Sequence, residues 1–327
     1  MDPKQRLLLE TCYDSLHQAG YDRPLLKGSE TAVYVGLCSN DWPLITEHQT
    51  PVAAVAATGN SGCSQALHSN RVSYVFGLVG PSMTIDTACS SSLVCIDVAC
   101  SALKERQCSA ACVAGINLCL TPYMFVALSK ATMLSPTSRN STFDVKANGY
   151  VRGEGVVAVV LKRLEDAEKD NNPVHAIIAG SCVNQDGASA SLTAPYGPAQ
   201  EKAIRTSLER AQILAHELDY VETHGTGTGL GDGIEFRALK AVFAPKRLES
   251  KPLVLGSVKP NIGHLEGAAG LVGLIKAVMT LTKKFAVPIG LLSNVNTGFD
   301  LSGFPVVIPK GLDSNYNCNP KPDPILT

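Results

Sequence analysis

The chain has 327 residues, of which 45% are hydrophobic and 17% charged, and its net charge is -1. That length predicts about two domains with a sizeable core. A charge this near zero, with no basic tract and no interleaving of aromatic and basic residues, gives no footing for a nucleic-acid or membrane-surface partner.

The start, Met1-Asp2-Pro3-Lys4-Gln5-Arg6, lacks the charged-then-apolar order of a secretory signal, so a reducing, cytoplasmic setting is expected. The 11 cysteines agree: they are irregularly spaced and none forms a Cys-x-x-Cys pair, so neither a disulfide framework nor a zinc site is expected. Residues 31–37, 82–88, 112–118 and 155–161 read as strands, and helical periodicity follows the second. Asn140-Ser141-Thr142 matches a glycosylation sequon, but without a secretory route it reads as chance. The charged segment 162–172 is the best candidate boundary. Beyond it come a strand over 174–180, a helix over 199–211, and strands at 220–223 and 252–258.

Residues 265–281 are strongly apolar but interrupted by Glu266 and Lys276. They fall short of the roughly 18 residues that a membrane-spanning helix needs and read as core. Apolar strands alternating with helices predict an α/β fold with mostly parallel sheets covered on both sides. The two halves share a plan, each ending a strand in a reactive side chain followed by an apolar helix. Any α/β chain repeats strand then helix, so the pattern alone leaves duplication open.

Cys89 stands where the strand-like run Ser82-Met83-Thr84-Ile85-Asp86-Thr87-Ala88 meets a helix beginning Ser90-Ser91-Ser92. The unpaired N–H groups and the dipole of a helix start favour a thiolate there. In that helix Cys89, Leu93, Ile96, Cys100 and Leu103 share a face, and apolar residues cover most of the rest, so burial nearly all round is expected. Most free cysteines are small core hydrophobes; position is what singles this one out.

Two histidines sit in glycine-rich turns after strands. His224 opens a run with glycine at every second position from 225 to 233, and His264 closes Lys259-Pro260-Asn261-Ile262-Gly263-His264. Such loops let backbone approach a ligand closely, yet neither has Rossmann or P-loop spacing. A lone histidine is more often structural than catalytic. One thiol and two imidazoles at strand C-termini fall where ligands of open α/β sheets bind. Metal ligation competes as a reading, without a supporting carboxylate-histidine spacing.

Several motifs carry a family resemblance: Asp86-Thr87-Ala88-Cys89-Ser90-Ser91-Ser92, Val183-Asn184-Gln185-Asp186-Gly187, Glu222-Thr223-His224-Gly225-Thr226-Gly227-Thr228 and Ser257-Val258-Lys259-Pro260-Asn261-Ile262-Gly263-His264. With residues 1–10, Gly149-Tyr150-Val151-Arg152-Gly153-Glu154-Gly155 and Leu192-Thr193-Ala194-Pro195, the chain resembles β-ketoacyl synthase (ketosynthase) domains of type I polyketide synthases and multidomain fatty acid synthases. The resemblance implies a thiolase-like fold of two similar α/β halves in five layers. The halves are expected over 1–165, with the cysteine, and 166–327, with both histidines. It also implies an acyltransferase that performs decarboxylative Claisen condensation of an acyl thioester with a malonyl thioester on an acyl carrier protein. Cys89 would take the acyl chain, and His224 and His264 would hydrogen-bond the malonyl carbonyl. Lys259 would orient His264, and Thr226 and Thr228 would contact the phosphopantetheine arm of the carrier. No bound metal or other cofactor is implied. The implied partners are the carrier protein, an acyltransferase domain and a second copy in a homodimer, with no nucleic acid and no membrane.

The family normally extends before the Met-Asp-Pro motif and ends in a glycine-rich segment with a phenylalanine gate and a Gly-Gly-Thr-Asn run. This sequence starts at the former and lacks the latter, so a shortened member or fragment is expected, with organelle targeting left open. Gly233, Asn148 and Tyr196 depart from the family pattern, and Gly233 is expected to loosen the loop after His224. The alternatives are a ketosynthase of fatty acid assembly and a non-elongating module that docks a carrier or shapes a dimer.

Overall fold

The computed structural model describes residues 1–49, 59–311 and 316–317. It forms two compact units, neither continuous in sequence. The first comprises Met1–Ala127, Arg152–Val174 and Leu265–Val272; the second comprises Leu128–Val151, His175–His264 and Gly273–Thr327.

In the first unit the strands β1 (Thr31–Gly36), β2 (Ser82–Ile85), β3 (Ala110–Asn117) and β4 (Gly155–Lys162) make one sheet in the order β2-β1-β3-β4. β1 pairs in parallel with β2 and β3, but β4 runs antiparallel to β3. The sheet is thus mostly parallel, as expected, with one antiparallel edge strand, whose direction the all-apolar run does not encode. Alternation along β1 and β3 sends Val33, Val35, Cys112, Ala114 and Ile116 into a core with Leu8, Cys12 and Leu16 of helix α1 (Pro3–Gln18) and Val72 and Phe76 of helix α2 (Leu67–Phe76). α1 starts at Pro3, with Asp2 capping it by accepting the Lys4 N–H at 2.9 Å.

The opposite register meets helix α3 (Ser91–Lys104). An added Cβ at Gly36 would lie 2.6 Å from Ser92 N, so only glycine admits this approach. The helix therefore turns its small side chains to the sheet: Ser91, Ser92, Cys95, Ala99 and Ala102 are buried with Ile96 and Leu103, while Leu93 is 47% exposed. Burial nearly all round, with Leu93 inside, is corrected on this point. Close contact between backbones selects the face lined by small residues over the one with the largest side chains.

The second unit holds a parallel sheet of β5 (Tyr220–Glu222), β6 (Leu253–Gly256) and β8 (Val306–Val307), and an antiparallel pair of β7 (Phe285–Ala286) with β9 (Tyr316–Asn317). Leu253, Leu255, Leu208, Phe236, Leu239 and Phe243 fill its core with Phe143 and Phe304. Phe236 stacks on Phe299 at 4.6 Å between ring centroids, and Phe143 meets Phe299 edge-on at 5.8 Å. Helices α4 (Gly197–Ala211) and α5 (Gly229–Phe243) pack against each other. The strand expected over 174–180 is absent among the described residues, with only an isolated bridge residue at Ile178. Apolar alternation becomes a strand only where a neighbouring backbone completes its hydrogen bonds.

The apolar stretch after His264 forms a single turn, Glu266–Ala268, and then helix α6 (Ala269–Lys283). No helix among the described residues is long and apolar enough to cross a membrane. Residues 312–315 and 318–327, the end of the expected C-terminal half, lie outside the described residues.

Candidate active site

In the first unit Cys89 sits between the end of β2 and the start of α3, and it is half-buried. Its predecessor Ala88 has φ 57, a left-handed backbone that costs an L residue on the order of 1–3 kcal/mol. The turn is held there by its own polar side chains. Asp86 Oδ1 accepts the Ala88 N–H at 2.9 Å; Ser91 Oγ accepts the Thr87 N–H at 2.9 Å and donates to Ala88 O at 2.6 Å. Ser90 Oγ donates to Thr87 O at 2.8 Å. Two of the three serines that follow the cysteine, Ser90 and Ser91, thus hold a strained turn that presents the residue at the helix start, while Ser92 Oγ accepts the Leu271 N–H at 3.1 Å.

In the second unit the structure brings together His224, His264 and Lys259. The two imidazoles meet edge to face with ring centroids 5.5 Å apart, and Tyr150 lies against His264 at 5.1 Å. Lys259 is buried; its Nζ donates to His224 O at 2.5 Å and lies 3.5 Å from His224 Nδ1. Burial, followed by the Lys259 ammonium, brings the His264 imidazole down to about 3. Burial, then Lys259, then the His264 ring hold His224 well below the ordinary imidazole value. His224 keeps an exposed edge, so the Lys259 charge is the firmer of these causes. Both rings are therefore neutral near pH 7, each with one N–H to donate. An ammonium this close also opposes a metal cation on His224.

Thr226 and Thr228 follow in the same loop, their hydroxyls 3.0 Å apart. Gly225 and Gly227 have φ +46 and +76, and a Cβ at Gly227 would lie 2.9 Å from Ser141 N. The loop ends sooner than the glycine repeat predicts. Residues 229–243 are helix α5, so Gly229, Gly231 and Gly233 are helical, and Gly233 lies in the helix after the loop it was expected to loosen.

Four residues of the cluster were not among the predicted site residues. Glu235 accepts the backbone N–H groups of His224 at 2.6 Å and Gly225 at 2.8 Å, and burial pushes its carboxyl up to about 7. Asp232 accepts Phe143 N–H at 2.9 Å and Gly227 N–H at 3.0 Å, and burial lifts it to about 6. Their i,i+3 spacing on one helix face after a glycine loop was the available signal. Glu222 accepts Val258 N–H at 2.6 Å and pairs with Lys276 at 2.9 Å. Asn140, the sequon residue, is buried, with both ends of its amide engaged, so the folded chain offers no glycosylation acceptor there.

The sequence matches the family model "Beta-ketoacyl synthase, N-terminal domain" over residues 1–167 and its C-terminal counterpart over 175–291. The chain belongs to the β-ketoacyl synthase family. It is 47% identical over 281 residues to a phenolphthiocerol/phthiocerol polyketide synthase protein of Mycobacterium tuberculosis, covering 86% of this chain and 13% of that protein. It is 47% identical over 282 residues to polyketide synthase GfsB of Streptomyces halstedii, covering 86% of this chain and 5% of that one. Among solved structures it resembles the ketosynthase from module 6 of the bacillaene synthase of Bacillus subtilis 168, with a TM-score of 0.89 and 37% identity over 98% of this chain and 55% of that chain. The β-ketoacyl synthase chain thus spans a small fraction of the curated relatives' length and about half of the solved ketosynthase. Its α/β architecture is thiolase-like.

Proposed function

We propose that the chain is the condensing domain of a polyketide assembly enzyme, joining an acyl group held on Cys89 to a malonyl group delivered on an acyl carrier protein. The supporting observation is the pair of neutral imidazoles beside a buried ammonium, with ring centroids 5.5 Å apart. Such N–H donors suit an oxygen that gains negative charge as a bond breaks.

In the first step the Cys89 thiolate attacks an acyl thioester; the C–S bond to the carrier breaks and the carrier leaves as its thiolate, which takes a proton from solvent. Storage on sulfur separates acyl transfer from carbon–carbon bond formation. In the second, the bond from the malonyl α-carbon to its carboxylate breaks, CO2 departs, and the electron pair becomes an enolate whose oxygen accepts hydrogen bonds from His224 and His264. The enolate carbon attacks the Cys89 thioester, the C–S bond breaks, and the thiolate is regenerated. In this reading Lys259 holds His224 through its carbonyl and fixes the charge around both rings. Thr226 and Thr228 steady the pantetheine arm. The two halves are those of 1–165 with the thiol and 166–327 with the imidazoles, and the working partners are the carrier protein, an acyltransferase domain and a second copy.

Separating the two steps tests the proposal. Cys89→Ala should abolish self-acylation, seen as loss of the acyl mass shift. His264→Ala should lower CO2 release from malonyl carrier protein by about 10²-fold to 10³-fold while leaving self-acylation within about twofold. Unchanged CO2 release in His264→Ala, or acylation at another cysteine, would overturn the assignment.

A further inference from the structure

The sequon that reads as chance without a secretory route lies between the two histidine loops. Asn140 is buried, and both ends of its amide are engaged: Nδ2 donates to Lys259 O at 2.8 Å, and Oδ1 accepts the Val151 N–H at 2.5 Å. Val151 O in turn accepts the backbone N–H of His264 at 2.7 Å. The turn from Lys259 to His264 is thus tied at both ends to one short stretch of chain. Two residues on, buried Thr142 donates from Oγ1 to Gly225 O at 2.5 Å, next to His224. Gly149 N–H donates to Gly227 O at 3.0 Å further along that loop.

We propose that Asn140 and Thr142 are positioning residues that set the two imidazole-bearing loops at a fixed spacing for the decarboxylation step. This rests on the reading of His224 and His264 as donors to the malonyl carbonyl. The chemistry at position 140 is exacting. One end of the side chain faces a backbone donor and the other a backbone acceptor, and a primary amide supplies both partners. A carboxylate of the same shape keeps the bond to Val151 but sets oxygen against Lys259 O. Thr142 acts on the other loop with one hydroxyl, so its removal leaves Gly225 O only the longer bond from Ser257 Oγ at 3.3 Å and shifts one imidazole. A displacement of about 1 Å in groups that must meet a transition state costs on the order of 10²-fold in rate.

The test compares Asn140→Asp and Thr142→Val with the wild-type chain. Self-acylation of Cys89 and CO2 release from malonyl carrier protein are measured on the same samples. Asn140→Asp is expected to lower kcat for CO2 release by about tenfold to a hundredfold with KM changed less, and to leave acylation within about twofold. Thr142→Val should show the same pattern at about threefold to tenfold. Imidazole NMR resonances supply a readout independent of activity: those of His224 and His264 should move in Asn140→Asp and that of His224 in Thr142→Val, while those of the other histidines stay. A wild-type chain that acylates but releases no CO2 would defeat the functional reading, and the resonances would still decide the positioning role. Equal losses in both steps, unmoved resonances, or failure of both variants to fold by circular dichroism would overturn the inference and leave Asn140 and Thr142 as core residues only.

Discussion

The turn at Cys89 and the loops at His224 and His264 both place a reactive side chain at the C-terminal end of a strand, yet they are held by different chemistry. Around Cys89 the holding groups are mostly neutral hydroxyls, Ser90 and Ser91 bonding to backbone within three or four residues. Around the histidines they are ionisable groups from distant positions, with half-buried Glu235 on the backbone N–H groups of His224 and Gly225 and buried Lys259 on the His224 carbonyl. Under the proposed function, the contrast follows from what each residue would do. A thiol that gains and loses a covalent bond needs one fixed direction, which local bonds can set. Two donors that must stay neutral need a controlled field, which only placed charges provide.

The sharpest way to break this comparison is to ask whether the Cys89 turn confers reactivity on its thiol alone. Burial pushes Cys38 and Cys95 up to about 12 and Cys119 up to about 11. At pH 8 their thiolate fractions are roughly 10⁻³ to 10⁻⁴. Brief treatment of the native chain with iodoacetamide, read by peptide mass spectrometry, should therefore label Cys89 at least about a hundredfold faster than these three. Labelling of Cys38 or Cys95 ahead of Cys89 would show that the turn does not activate its thiol.

A second experiment probes what lies beneath the turn. Gly36→Ala would put a methyl group 2.6 Å from Ser92 N, inside the first turn of α3. The helix must shift away, at a cost of about 1–3 kcal/mol from overpacking. Urea unfolding should show a lower midpoint, and self-acylation should fall more than CO2 release, because the damage lies in the thiol-bearing unit. A midpoint equal to wild type would mean that α3 tolerates the displacement.

The legibility of the two regions follows the same divide. The strands at 31–37, 112–118 and 155–161 were readable because continuous apolar runs have few other fates, and Cys89 was readable because its strand and helix adjoin in sequence. What escaped was long-range. The direction of β4, the missing ladder at 174–180 and the outward turn of Leu93 are each decided by a neighbour far along the chain. Glu235 and Asn140 escaped for the same reason, since their partners lie 11 and 119 residues away, and the sequon pattern around Asn140 pointed to a different chemistry.

Glu235 offers the finest test of the field that holds the imidazoles. Its carboxyl, pushed up to about 7 from an ordinary 4.5, is the acceptor for two adjacent N–H groups, and full ionisation keeps both bonds. Below about pH 7 one oxygen takes a proton and the His224 loop loosens, so CO2 release should rise through an inflection near pH 7. Stability should run the other way. The folded chain retains a proton that the unfolded chain has already released above 4.5, so unfolding becomes easier as pH rises from 4.5 toward 7. Glu235→Gln fixes an amide at that position. It should remove both trends: CO2 release at pH 8 is expected to fall by about threefold to tenfold and to lose its inflection, and the contribution of this site to the pH dependence of urea unfolding should vanish. An inflection near pH 7 that survives in Glu235→Gln would assign the titration to Asp232, lifted to about 6 in the same loop, and would move control of the His224 loop from the helix face at Glu235 to the turn that Asp232 spans.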